Sequence, residues 1–401
     1  MSASPAARPD AIRRHNLALV LDQIHRDGAL TRAELTQRLR VSRSTVAALV
    51  GDLTELGLVD EVVPVGGSGV GRPSHVVGPH ASGPYVVAVD IDVSQVVTAA
   101  IGIGGDVLAR RLVTTGAEAC GAENLVGVVV ESLTAVAAAS GRSLPPLAMG
   151  VSVPGTVNRQ TGQVAVAPNL DWHDVAFGTL LAEQLPAELT VTVANDADVA
   201  ALAEHRRGAA RGIDEFVFLL GRVGVGAGII TSGRPLRGRD GYAGEIGHNV
   251  VDTTGPPCHC GKRGCVETYI GEGALLRLAG RAQPPSEEAT AAVFADARAG
   301  RKAALRAVRG VAESLGRALA SLVNTLNPQC AVLGGYLSEL LDIARPEIEQ
   351  ALFEHTLEAH GGYVELIHPA FGGDAALFGA AEMAFADLLA DPLGAAPALL
   401  G

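Results

Sequence analysis

A run of three short apolar strands occurs twice in this chain, and few folds accommodate such a repeat. Tyr85 to Asp90, Ile91 to Ile103 and Asp106 to Leu112 read as a β-meander, with Gly104 and Gly105 turning between its last two strands. A related rhythm returns at Glu215 to Leu220, Gly224 to Thr231 and Gly233 to Leu236. Between the two lie an apolar helix around Leu125 to Ala139 and strands at Ala148 to Val153 and Leu189 to Val193. Two α/β lobes with a cleft between them are the economical solution. The length agrees, since 401 residues exceed one ordinary core. Hydrophobic residues at 48% and charged residues at 18% exclude disorder; aromatics at 3% leave the cores to Ala, Val, Leu and Ile. No stretch approaches the roughly 20 unbroken apolar residues of a membrane helix. Glu131, Ser132 and Thr134 interrupt the most apolar run, and Arg13, Arg14, His15 and Asn16 break any leader-like segment. A cytoplasmic protein with no membrane partner is expected.

The first 80 residues differ in pattern and charge. The whole chain has a net charge of -12, which argues against a general polyanion binder. Residues 1–45, however, carry eight Arg against four acids, while residues 81–401 carry 22 basic against 35 acidic groups. Leu17, Val20, Leu21 and Ile24 have helical spacing. Thr31 stands three residues before Glu34, a capping box opening a short helix to Leu39. Ser42 can cap a third helix through Val46, Leu49, Val50 and Leu53, which ends at Gly57. Leu58 to Val65 reads as a strand, Gly66 to Gly71 as a tight wing and His75 to Val77 as its return. The sum is a winged helix-turn-helix over residues 1–80. The first turn of its third helix offers Ser42, Arg43, Ser44 and Thr45 to bases and phosphates, and Arg72 in the wing suits phosphate or the minor groove. Such a head reads palindromic double-stranded DNA as a dimer or a pair of dimers. A helical docking domain with merely solvated polar residues is the plain alternative.

Five cysteines cannot all pair internally. Cys258, Cys260 and Cys265 lie within eight residues, a spacing more suited to a metal than to a disulfide frame in the cytoplasm. Three thiolates and an imidazole make a tetrahedral zinc set, with His248 as the fourth ligand; a reduced thiol cluster, with His259 or no histidine, is the alternative. Four protein ligands leave no open position, so the metal would be structural. Cys120 and Cys330 are expected as core thiols.

Several motifs then follow in order: Gly150-Val-Ser-Val-Pro154-Gly155, Pro168-Asn169-Leu170-Asp-Trp172, Asn195-Asp196-Ala197-Asp198, Gly244-Glu245-Ile246-Gly247-His248, and the cysteine cluster through Glu267. Together they resemble the ROK family of sugar kinases and sugar-responsive repressors, and Gly71-Arg72-Pro73 resembles the wing of its regulator branch. The resemblance implies a two-lobed, actin-like (ribonuclease H-like) ATPase fold behind the winged head. The first lobe would comprise residues 81–194 plus about 375–401, and the second residues 195–374. It also implies that Asn169, Asn195, Asp196, Glu245, His248 and Glu267 face a sugar. Asp196 matches the position of the kinases' catalytic base, and His248 would serve metal and sugar through its two nitrogens.

The family's kinases hold nucleotide phosphates with two glycine-rich turns, because glycines let backbone amides face the phosphates. Here the first turn reads Asp90-Ile91-Asp92-Val93-Ser94, with a carboxylate where close-approach glycine is expected. The second has Val223 in place of a hydroxyl donor, with Arg222 beside it. The phosphate grip around Asp92, Ser94 and Val223 is therefore degraded, and ATP with Mg2+ is not expected as a cofactor. The leading expectation is a sugar-responsive repressor with one structural Zn2+ per chain and a sugar or sugar-phosphate effector. An ATP-dependent sugar kinase with an appended head and a sugar-sensing protein-interaction scaffold are the alternatives.

Overall fold

The computed structural model describes residues 9–63, 75–116, 121–282, 284–358 and 364–395. The head consists of α1 (Pro9–Asp27), β1 (Leu30–Thr31), α2 (Arg32–Leu39), α3 (Arg43–Glu55), β2 (Val59–Val62) and β3 (Val76–Pro79). Its helix starts follow the local chemistry. Thr31 accepts from the Glu34 N–H at 3.1 Å while Glu34 accepts from the Thr31 N–H at 2.7 Å, the capping box in full. Ser42 Oγ accepts from the Thr45 N–H at 3.1 Å and opens α3. β3 pairs antiparallel with both β2 and β1, so the wing's return strand is tied to the loop before α2. The wing tip, with Arg72 and Gly66 to Gly71, lies outside the described residues.

The next segment forms β4 (Tyr85–Ile91), β5 (Gln95–Gly102), β6 (Val107–Thr114), α4 (Ala122–Ala139) and β7 (Ala148–Val153). It continues with β8 (Thr156–Asn158), β9 (Gln163–Ala167), β10 (Trp172–Val175), α5 (Phe177–Gln184) and β11 (Thr190–Asn195). The second meander follows α6 (Asp196–Arg207) and comprises β12 (Phe216–Gly221), β13 (Val225–Thr231) and β14 (Arg234–Pro235). Then come α7 (Glu267–Ile270), α8 (Glu272–Leu278), α9 (Glu287–Arg298), α10 (Lys302–Leu326), β15 (Cys330–Gly335) and α11 (Tyr336–His355). β16 (Glu365–Ile367), α12 (Ala375–Ala384) and α13 (Ala386–Ala390) close the chain.

The two meanders build two five-stranded sheets, ordered β11-β7-β4-β5-β6 and β14-β13-β12-β15-β16. Each is an antiparallel meander whose first strand continues into two parallel neighbours. Repetition of one topology in both lobes is the actin-like, ribonuclease H-like architecture the sequence implies. The expected strand from Ile91 starts four residues later, because the Asp92 N–H donates to the Gln95 carbonyl at 2.8 Å and makes Asp92 to Ser94 a turn. A small sheet, β10-β9-β8, was not evident from periodicity; it frames the cleft. Residues 302–326 form one helix, with Val308, Val311, Leu315, Leu319 and Leu322 all buried against neighbours that include α11.

α6 and α12 form the layer between the sheets. A methyl group on Gly379 of α12 would overlap the Val199 carbonyl of α6, and one on Gly150 of β7 would overlap the Ala380 carbonyl, so glycine sets both close approaches. α4 is long and apolar enough to cross a membrane by length and composition alone, but Leu125, Val126, Val129 and Val136 pack into the core of the first sheet. Head and body share one apolar cluster: Leu17, Val20, Leu21 and Ile24 of α1 belong with Val86, Leu377, Phe385 and Leu388. Each fully buried aliphatic side chain contributes about 1.5–3 kcal/mol. The head is therefore docked on the body, not merely tethered to it.

Candidate functional site

The cleft between the sheets gathers all six of the expected sugar-side residues. Asn169, Asn195, Asp196, Glu245, His248 and Glu267 all line it, together with Asp92 and Val223. Ser94 does not; it is exposed on the turn before β5, where its carbonyl accepts from the Thr115 N–H. Positioning follows from the elements. Asn169 sits on a one-turn helix after β9, and Asp196 opens α6 directly after β11. Glu245 accepts from Thr156 Oγ1 at 3.0 Å, and Glu267 Oε2 accepts from the Val225 N–H at 3.2 Å. Asn195 has both ends of its amide committed: Oδ1 caps α6 at the Asp198 N–H and Nδ2 donates to the Gly155 carbonyl at 2.8 Å. It shapes the cleft through the backbone.

The electrostatics of the cleft are dominated by carboxylates. Burial pushes Asp196 up to about 7, although Arg222 pulls the other way. Asp198, two residues beyond it, is also raised to about 7, by burial and by the charges of Glu245 and Asp196. Arg222 lies against Asp90, with Nη2 donating to Oδ2 at 2.7 Å. Sequence reasoning placed Arg222 beside Val223 but did not see its bond to Asp90, because that carboxylate comes from a strand 132 residues away.

The cysteine cluster adjoins this cleft. The ligand atoms of His248, Cys258, Cys260 and Cys265 all lie within 4.8 Å of one another. His248 Nδ1 is 3.7 Å from Cys258 Sγ, and Cys260 Sγ is 3.7 Å from Cys265 Sγ. Metal–sulfur bonds of about 2.3 Å in a tetrahedron put neighbouring ligands about 3.8 Å apart, so the group can hold a metal. Gly261 and Gly264, at φ 83° and 68°, make the turns that bring the cysteines round. His259 points elsewhere, its Nδ1 lying 3.4 Å from Asn169 Oδ1. Glu267 joins the two features: its Oε1 lies 3.6 Å from Cys258 Sγ while its Oε2 is in the cleft. Cys330 is a buried core thiol, and Cys120 lies outside the described residues.

The opposite end of α6 carries charges that the sequence reading missed. Glu382 of α12 is buried, and its carboxylate lies 3.1 Å from His25 Nε2 of α1. The Gly104 N–H donates to His25 Nδ1 at 3.2 Å, leaving Nε2 to donate to Glu382. Arg206 donates to Asp22 of α1 at 2.6 Å, Arg26 donates to the Arg206 carbonyl at 3.0 Å, and Arg207 reaches Glu382 at 3.4 Å. Burial pushes Glu382 up, but His25, Arg206 and Arg207 outweigh it and hold the carboxyl at about 2. A lone glutamate in the otherwise apolar run Ala375 to Phe385 was the available signal, since such a charge must find partners.

On the head, Arg43 is exposed at the start of α3 beside Ser42 and Ser44, and Thr45 is half-buried. Most head arginines are paired: Arg13 with Asp52, Arg14 with Asp391, Arg26 with Asp22, Arg32 with Glu61 and Arg38 with Asp27. Among the described residues, Arg40 and Arg43 have no such partner, and both flank the turn between α2 and α3.

Residues 86–386 match the ROK family, and residues 18–68 match the MarR family. A putative xylose repressor of Caldicellulosiruptor sp. (strain Rt8B.4) is 26% identical over 95% of this chain and 98% of its own. A glucokinase of Thermotoga maritima is 31% identical over 66% of this chain and 86% of its own. Among solved structures, a ROK family transcriptional regulator, a homolog of the E. coli MLC protein, superimposes with a TM-score of 0.77 at 26% identity, covering 97% of this chain and 100% of its own. Repressors and kinases thus both occur among the relatives, and the head is covered by the repressors.

Proposed function

The chain belongs to the ROK family, and from that membership we propose that it is a sugar-responsive, DNA-binding transcription regulator, a cytoplasmic repressor whose hold on its operator changes when a sugar occupies the interlobe cleft. The observation that carries this reading is the course of α6. It begins with Asn195 and Asp196 in the cleft and ends with Arg206 on the head's first helix and Arg207 on Glu382, which holds His25 of that helix, 12 residues or about 18 Å away. A helix is stiff over that distance. A ligand that pulls the first turn of α6 therefore moves the groups that seat the head, and a ligand favouring one head position shifts the population toward it.

In this reading Asn169, Asp196, Glu245, His248 and Glu267 pair with the sugar's hydroxyls. His248, Cys258, Cys260 and Cys265 would hold a structural Zn2+, which when bound fixes the loop carrying Glu267. Ser42, Arg43, Ser44 and Thr45 meet a palindromic operator, with two copies of the chain supplying the two half-sites. The test is fluorescence anisotropy of the full-length protein on duplexes from its own upstream region, titrated with a panel of sugars. One sugar should change operator affinity by about 5- to 150-fold, the usual range of coupling between two sites. Operator binding that no sugar alters would contradict the proposal.

A kinase reading is favoured by one observation, Asp196 standing in the cleft next to the Gly224 and Gly226 loop. Sugar-dependent ADP release at about 1–100 per second under saturating Mg-ATP would establish it.

A further inference from the structure

The floor of the cleft holds an ion cluster that sugar sensing does not itself require. Arg222, the first residue past β12, reaches to the end of β4 and meets the Asp90 carboxylate at both oxygens, Nη2 to Oδ2 at 2.7 Å and Nη1 to Oδ1 at 3.4 Å. Its Nε is 3.6 Å from Asp92 and its Nη1 3.9 Å from Asp196. Ser152 Oγ donates to Asp90 Oδ1 at 3.0 Å and fixes that carboxylate from the side of the first sheet. One guanidinium thus faces three carboxylates, and its charge is fully engaged.

Four backbone donors at this end of the cleft are engaged as well. The Asp92 N–H donates to the Gln95 carbonyl at 2.8 Å, and the Val93 N–H to Asp92 Oδ1 at 2.6 Å. On the facing turn, the Arg222 N–H donates to the Gly224 carbonyl at 2.9 Å, and the Val225 N–H to Glu267. A phosphate group needs outward-facing amides and a cation with charge to offer. Around Arg222 this floor presents three carboxylates, a cation already engaged and four amides already bonded. Carboxylates do suit hydroxyls, because each ionised oxygen accepts O–H hydrogen bonds.

We infer that Arg222 is a fixed ionic clasp between the two sheets, filling the end of the cleft where a phosphate would sit, so that the effector is an uncharged sugar and not its phosphate ester. The inference rests on the sugar-sensing reading and narrows it. Calorimetry on the full-length protein, with glucose, xylose and N-acetylglucosamine each compared with its terminal phosphate ester, separates the two. A free sugar should bind at least ten-fold more tightly than its ester. Asp92→Asn should narrow that ratio by releasing the guanidinium's Nε edge, and Arg222→Gln should widen it by leaving the carboxylates unneutralised. An ester that binds as tightly as its sugar, or an Arg222→Gln variant that selectively loses the ester, would overturn the clasp and leave sugar sensing intact. If neither form of any sugar binds, the sensing reading fails and the clasp's role fails with it.

Discussion

Cys260 and Asp196 show how single side chains set the properties of the cleft. Cys260 touches no part of the cleft directly, yet it belongs to the cluster that positions Cys258, and Cys258 lies 3.6 Å from Glu267. Cys260→Ala should lower zinc from about one per chain to well below that by elemental analysis. It should also weaken sugar binding, by about 10-fold or more if the supporting cluster acts as ligand-orienting shells usually do. Asp196 acts through its own burial. Its carboxyl is held at about 7 in the folded chain against an ordinary value of 3.8, so the folded state binds the proton more tightly than the unfolded state does. Its protonation therefore favours folding at low pH, and that contribution is lost as pH rises from about 4 to about 7. Asp196→Asn should accordingly raise the melting temperature more at pH 8 than at pH 5, measured by thermal unfolding, while reducing sugar affinity. A gain that is equal at both pH values would assign the cost to something other than ionisation.

At the scale of elements, α6 and α3 carry the two halves of the account. Glu382 fastens the far end of α6 to α1, and its carboxyl is held at about 2 against an ordinary 4.5. That depressed value means a stabilising contribution present above about 4.5 and lost as pH falls toward 2. Glu382→Gln should flatten the acid limb of the stability curve over that window. The same variant should still bind sugar and operator while its sugar response shrinks, because the link is weakened and neither site is touched. On α3, Arg43 is exposed and has no carboxylate partner, whereas its neighbours on the head are mostly paired. Arg43→Ala should reduce discrimination between the operator and single-base variants by about 1–3 kcal/mol, the value of one bidentate guanine contact. A uniform loss across all sequences would instead assign Arg43 to the phosphate backbone.

Across the whole molecule, local chemistry was readable and long-range pairing was not. The capping box at Thr31, the Ser42 cap and both meanders follow from short-range spacing, and all are present, with the strand expected from Ile91 starting at Gln95. The cysteine cluster was legible because its ligands sit within eight residues of each other, with His248 added by motif order. The Arg222–Asp90 clasp and the His25–Glu382 contact span 132 and 357 residues, and nothing in spacing or propensity brings such partners together. Only the packing of α6 and α12 between the sheets does so. Those two long-range pairs nevertheless occupy the two ends of the path from cleft to head, which makes the coupling a property of the assembled chain. Coupling of this kind is reciprocal: if a sugar changes operator affinity by some factor, the operator must change sugar affinity by the same factor. The decisive measurement is therefore the sugar dissociation constant by calorimetry, taken on the free protein and again on the protein saturated with operator duplex. The account predicts that the two constants differ by the factor by which that sugar shifts the operator curve; two identical constants would contradict it.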